Sequence, residues 1–247
     1  MCQTVIGFQR PSALLCMITW ALCVVAAPPA IAQTAGSSCG PLYAEGQYGP
    51  FDYRTDRDKL PIVLGAHFTP EVEALVRGKT STIGADIDYT LRAIPNNHRA
   101  LMAMMRLGEK QKTPQPVGSR YSVQCWFERA ITFRPDDAVV RMIYSGYLGK
   151  QGRLPEANAQ LEQATVYAKD NAFTHYNIGL HYFDLKNYDK ALAQAHQAIA
   201  LGFGQTALRE QLQRVGKWSE PPPASATPEA PAAPLATSSA PVAEAAK

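Results

Sequence analysis

The chain has 247 residues and a formal net charge of +3, with 46% of residues hydrophobic and 18% charged. That length holds one or two packed domains, and a charge this close to neutral excludes a nucleic-acid binder held mainly by phosphate contacts. Of the 19 prolines, seven fall in the last 29 residues together with ten alanines, so much of the composition belongs to a tail rather than to a fold.

Met1 to Ala32 reads as a secretory signal. Arg10 supplies the positive start, Ser12 to Ala27 is uncharged and mostly apolar, and Ala30-Ile31-Ala32 gives the small-x-small pattern before a cut at Gln33. The apolar run of about 16 residues is shorter than the roughly 18–20 that a spanning helix needs. An exported chain, periplasmic or in the cell envelope, is therefore expected, with no membrane span after signal cleavage. Cleavage would remove Cys2, Cys16 and Cys23 and leave Cys39 and Cys125. In an oxidising compartment these two are expected to form one disulfide, with two unpaired thiols as the alternative. Neither lies in a Cys-x-x-Cys or beside a matching His, so no metal or catalytic role is expected of them.

Residues 33–68 are expected to form an extended N-terminal segment. At the other end, residues 219–247 contain no aromatic residue and only Leu235 and Val242 as large aliphatics. Such a stretch buries too little apolar surface to offset its ordering entropy, which predicts a disordered tail. Its prolines at 221–223, 228, 231, 234 and 241 favour an extended, semi-stiff form.

Between the ends, residues 69–218 are expected to form a helical repeat domain, in which a lag of 34 is specific only from Tyr121 onward. Ala130, Ala164 and Ala198 fall in register, as do Ala157 with Ala191, Tyr144 with Ile178, Leu148 with Tyr182, and Ser145 with Gly179. Within each unit apolar residues recur at helical spacing in two blocks, broken at Gly149 to Gly152 and at Asp184 to Asn187. Pro155 suits a first helical turn, and Asp137 and Asn171 suit N-caps. The clearest units are 138–171 and 172–205. Cys125 to Pro135 reads as the second helix of an earlier unit, whose first helix would be Asn97 to Gly108, with an inserted loop from Glu109 to Ser119. A weaker pair is expected over Pro70 to Arg77 and Ala85 to Ile94. Gln205 to Val215 reads as a capping helix, with Leu208, Leu212 and Val215 on one face and Trp218 beyond it.

These residues resemble the tetratricopeptide repeat. His175, Ile178, Gly179, Tyr182, Tyr188, Ala191 and Ala198 fall on its pattern, while His175 for Trp, Ala195 for an aromatic and Phe203 for Pro depart from it. The layout, with Tyr48 to Tyr53 reading Tyr-Gly-Pro-Phe-Asp-Tyr before the repeats, also resembles a group of exported bacterial repeat proteins of undefined role. The resemblance implies an all-α fold, a solenoid of helix-turn-helix pairs with a capping helix. It further implies a groove lined by the first helix of each unit. Phe173, Tyr176, Leu180 and Phe183 would line it in one unit, and Val139, Met142, Gly146 and Gly149 in the unit before. That groove is expected to take an apolar or extended peptide, unless the aromatics are core, covered by the capping helix or by the Tyr48–Tyr53 segment. Tyr176 and Leu180 stand where some family members carry Lys and Asn to clamp a terminal carboxylate, so that mode is not expected.

Signs of catalysis are few. Gly78-Lys79-Thr80 has part of a phosphate loop, but Glu73 stands where its first Gly belongs. No nucleophile elbow, zinc-protease or calcium-loop pattern is present. His175 and His181 are six apart and face different sides of a helix. Asp86, Asp88, Asp184 and Asp189 are expected on solvated faces or as caps, and Arg99, Arg106, Lys110, Lys112 and Arg120 around a solvated loop. The expected function is a protein- or peptide-binding scaffold without catalysis or cofactor. The alternatives are a cell-envelope spacer and, third, a hydrolase without a recognisable motif.

Overall fold

The structure, a computed structural model, describes residues 39–221; the stretches expected to be a signal sequence (1–32) and, from residue 222 onward, a disordered tail lie outside the described residues. All regular structure among the described residues is helical. In chain order the helices are α1 (Leu60–His67), α2 (Pro70–Glu73), α3 (Ile83–Ala93), α4 (His98–Gln111) and α5 (Val123–Phe133), then α6 (Ala138–Lys150), α7 (Leu154–Ala168), α8 (Ala172–Asp184), α9 (Tyr188–Ala200) and α10 (Ala207–Arg214).

The ends of α6 to α9 follow local chemistry. Asp137 accepts from the Val139 and Val140 amides at the start of α6, and Asn171 accepts from Thr174 at the start of α8. Both satisfy amide donors that a helix start leaves unpaired. Pro155 occupies the first turn of α7, where its missing N–H costs nothing. Short turns make α6–α7 and α8–α9 antiparallel hairpins. Small residues let the helices close up. Ala157, Ala164, Ala191 and Ala198 are all buried, and a Cβ on Gly179 would lie 2.5 Å from Leu208 of α10 and 3.4 Å from the Ala191 carbonyl of α9. α10 covers this end with Leu208 and Leu212; Val215 departs from expectation, lying past the last turn and 42% exposed.

The apolar interior is in two main clusters. One joins α3 to α6 around Ile87, Leu91, Met104, Trp126 and Phe127; the other joins α6 to α10 around Leu161, Ile178, Tyr182 and Leu212.

The N-terminal part departs furthest from the sequence reading. Residues 33–68 are not extended throughout, because α1 forms within them and buries Leu60 and Val63 against Ala93 and Ile94. Pro70 to Arg77 is not one helix of a pair. Helix α2 ends at Glu73 because Leu75 turns left-handed, with φ 59°. Before α1 the chain lies against the end of α3, where Phe51 N donates to the Ala93 carbonyl at 2.9 Å. Gly49 makes that approach possible: its φ is 96°, and a Cβ there would sit 2.4 Å from the same carbonyl oxygen.

Two devices hold this segment down. Cys39 and Cys125 are joined in a disulfide spanning 86 positions. Glu128 comes within 3.0 Å of Cys39 Sγ, but bonded sulfur has no proton to donate and no thiolate to offer a metal. Beside the bridge, buried Arg129 donates Nη1 to the carbonyls of Cys39, Gly40 and Pro41 at 2.9, 3.2 and 2.7 Å. Its guanidinium also lies over the rings of Tyr121 and Trp126. Burial pushes its pKa below the ordinary arginine value, but arginine stays charged at any physiological pH.

Candidate binding cleft

Among the described residues, an opening wide enough for a ligand lies along α6, between α4 and α8. It is a cleft of about 790 Å³. Met102 and Met105 of α4, Ile143 of α6, Leu154 of α7 and Leu185 give it an apolar wall. His181, Asp184, Lys150 and Lys186 supply the polar groups. Two glycines open it. A Cβ on Gly146 would meet nothing nearer than the His181 ring at 3.9 Å, and Leu185 occupies the place a Gly149 side chain would take, 2.6 Å from its Cβ. Met102 and Leu154 are part-exposed here, and flexible thioethers re-pack readily around varied apolar partners. Burial pushes the His181 pKa down and outweighs the opposing charge of Asp184, so a neutral imidazole faces the cleft at neutral pH.

Gly146 and Gly149 were expected in a groove, and both line this cleft. The expected anchors do not. Phe173 is 61% exposed and touches Phe203, whereas Tyr176, Leu180 and Phe183 are half-buried against the second cluster, Tyr176 on Phe203 and Phe183 on Tyr188. Val139 is half-buried between the two clusters. Met142 is 5% exposed and belongs to the interior, because its position on α6 faces α7 and α8 rather than the cleft. Nor does the cleft's wall depend on the repeat register alone, since Met102 and Met105 come from α4, where the 34-residue lag is weak.

Buried polar groups elsewhere prove to hold the fold together. Asp86 and Asp88 are not on a solvated face. Asp86 is fully buried and accepts from the Lys79 and Thr80 amides at 2.6 and 3.1 Å and from His67 Nδ1 at 3.1 Å. The Gly78-Lys79-Thr80 turn thus wraps its amides around the chain's own carboxylate, which fills the position an anion would take. Asp88 binds Arg92 Nε at 3.0 Å and the Arg120 amide at 2.7 Å. The basic cluster is likewise engaged: Arg99 pairs with Glu73, and Lys110 donates to the Leu75 carbonyl, so α4 is tied to α2.

A second polar hub joins three distant parts of the chain. Asn96, fully buried, accepts from the Tyr53 amide and donates to Asp52 at 2.7 Å and Asp137 at 2.9 Å. Arg54 and Arg134 pair with Asp52, and His98 Nε2 lies 2.9 Å from Asp137. The pattern Pro95-Asn96-Asn97 reads in sequence as a turn, and nothing local marks Asn96 as a bridge. Burial raises the carboxyl pKa of Asp52, Asp86 and Asp137. Hydrogen bonds outweigh it, from Arg54 and Asn96, from Thr80 and His67, and from His98 and Asn96 respectively, so all three end below the ordinary value. A carboxylate depressed in the fold stabilises above its unfolded pKa of about 3.9, and that stability is lost as pH falls. The melting midpoint is therefore expected to drop steeply below about pH 5. A midpoint level from pH 7 to pH 3 would contradict it.

Comparison with known proteins finds no matching family model, no matching curated protein and no matching solved structure. No helix among the described residues is long and apolar enough to cross a membrane.

Proposed function

We propose that this chain is an exported scaffold of tetratricopeptide type that binds an apolar stretch of another protein or peptide and does no chemistry of its own. The 34-residue lag in small and aromatic residues supports the repeat reading. The observation that carries the binding reading is the glycine-floored cleft beside α6. Its walls are methionine, leucine and isoleucine, and its volume of about 790 Å³ takes one or two large side chains in extended or helical presentation.

The test is Gly146→Leu. The new side chain enters open space, and leaving glycine inside a helix removes a penalty of roughly 0.5–1 kcal/mol. Stability is therefore expected to stay level or rise while the cleft is filled. In-cell crosslinking of the full-length protein, followed by mass spectrometry, is expected to capture a partner that Gly146→Leu loses at least about tenfold. Equal capture by both forms would remove the cleft from the function.

A further inference from the structure

The cleft beside α6 carries more hydrogen-bonding capacity than the chain itself uses. Helix α8 holds two histidines with opposite surroundings. His175 is bonded through both ring nitrogens, to Gln194 Oε1 at 2.7 Å and to the Lys169 carbonyl at 2.6 Å. His181, half-buried in the cleft lining, has no hydrogen-bond partner among the described residues, and Asp184 acts on it through charge alone. Its Nδ1 and Cε1 lie 3.9 Å from the point where a Gly146 Cβ would stand, so that edge of the ring faces the glycine. Ser145, next to Gly146 and fully buried in the same wall, has an Oγ without a partner as well. An unpaired polar group costs free energy when buried, and native structures seldom keep one without a use.

The other lining residues narrow the chemistry. Met102 and Met105 offer thioether sulfur, which packs favourably against aromatic rings, and Ile143, Leu154 and Leu185 extend an apolar wall. Of the charged groups in the lining, Lys150 is already paired with Glu109 at 2.7 Å. Such a cleft suits an aromatic body with one polar tip. A tyrosine hydroxyl both donates and accepts, so it pairs with a neutral imidazole in either tautomer. An indole N–H only donates, and a phenylalanine ring does neither.

We propose that the partner inserts a tyrosine side chain into this cleft and that His181 is the residue that recognises its hydroxyl. The inference rests on the cleft being the binding site, as proposed above. A cleft of bare apolar wall would favour phenylalanine, because burying a hydroxyl without a partner costs more than burying the ring alone. With His181 present the hydroxyl is paired and the imidazole gains the partner it lacks, which turns the preference toward tyrosine.

The side-chain analogues p-cresol and toluene are the probes. Each is titrated into the full-length protein while the Gly146 and Gly149 amides and the His181 ring nitrogens are followed by NMR. p-Cresol is expected to bind roughly fivefold more tightly than toluene, and to shift the His181 nitrogen resonances far more. In His181→Leu the order should reverse, with the melting midpoint level or raised, since the change removes an unpaired polar group. Toluene binding the wild type as tightly as p-cresol, or an order unchanged in His181→Leu, would overturn the role of His181 and leave the cleft as the site. No shift at either glycine with either probe would remove the cleft, and this proposal with it. Should His181→Leu fail to fold, the wild-type nitrogen shift decides, and its absence on p-cresol binding overturns the proposal.

Discussion

Replacing Cys125 with serine is expected to destabilise the protein by roughly 4–5 kcal/mol, the loop-closure entropy of a bridge across 86 positions. For a domain of this size that is a fall of roughly 10 °C or more in the melting midpoint. The loss should appear equally in Cys39→Ser, and wild-type protein in reductant should melt with the two variants. Arg129 bears on the outcome. It binds carbonyls of residues 39–41 without help from the sulfurs, so it can hold the segment in the folded state. It does nothing to shorten the unfolded chain, and that is where a disulfide mainly acts. A midpoint unmoved by reduction would mean that residual structure already constrains the unfolded chain between these positions.

Asp52→Ala is the second large effect, expected at roughly 3–5 kcal/mol in denaturant unfolding. Asp52 is 1% exposed, and its carboxylate takes Arg54 Nε and Nη2, the Arg54 amide and Asn96, with Arg134 Nε 2.6 Å away. Truncation takes from Arg134 the carboxylate it faces, and leaves Arg54 and the buried Asn96 amide with only their contacts to Asp136 and Asp137. The neighbouring Asp136→Ala is the control. Asp136 also meets Arg54, at 3.1 Å, but its side chain is 54% exposed, and a solvated pair of this kind is worth about 0–1 kcal/mol. Equal losses in the two variants would show that the hub contributes only as surface charge does.

Both effects concern the half of the chain where the sequence was least legible. From α6 to α9 the reading needed only neighbours along the chain. Small residues at a 34-residue lag, a proline in a first turn and side-chain oxygens at Asp137 and Asn171 are local signals, because helix periodicity and capping are local physics. The same locality misled at Asp86 and Asp88. Two carboxylates two residues apart look like a solvated face until the amides of residues 79 and 80 fold back onto one of them. The Asp52–Asn96–Asp137 bridge joins positions 44 and 41 apart, and no pattern within a helix carries that information.

The binding surface divides in the same way. Gly146 and Gly149 were visible as small residues on the expected groove side of α6. Met102 and Met105, which complete the cleft wall, come from α4, and only the packing of α4 against α6 brings them there. Which aromatics remain available was also a matter of packing. Phe173 and Phe183 are alike in sequence and ten positions apart, yet one is mostly in solvent and the other lies against Tyr188. Periodicity along the chain thus determined which segments are helical and which faces are small. Long-range contacts decided which polar groups are buried, which cavities stay open and which rings remain in water, because burial depends on every element that packs nearby and not on sequence neighbours alone.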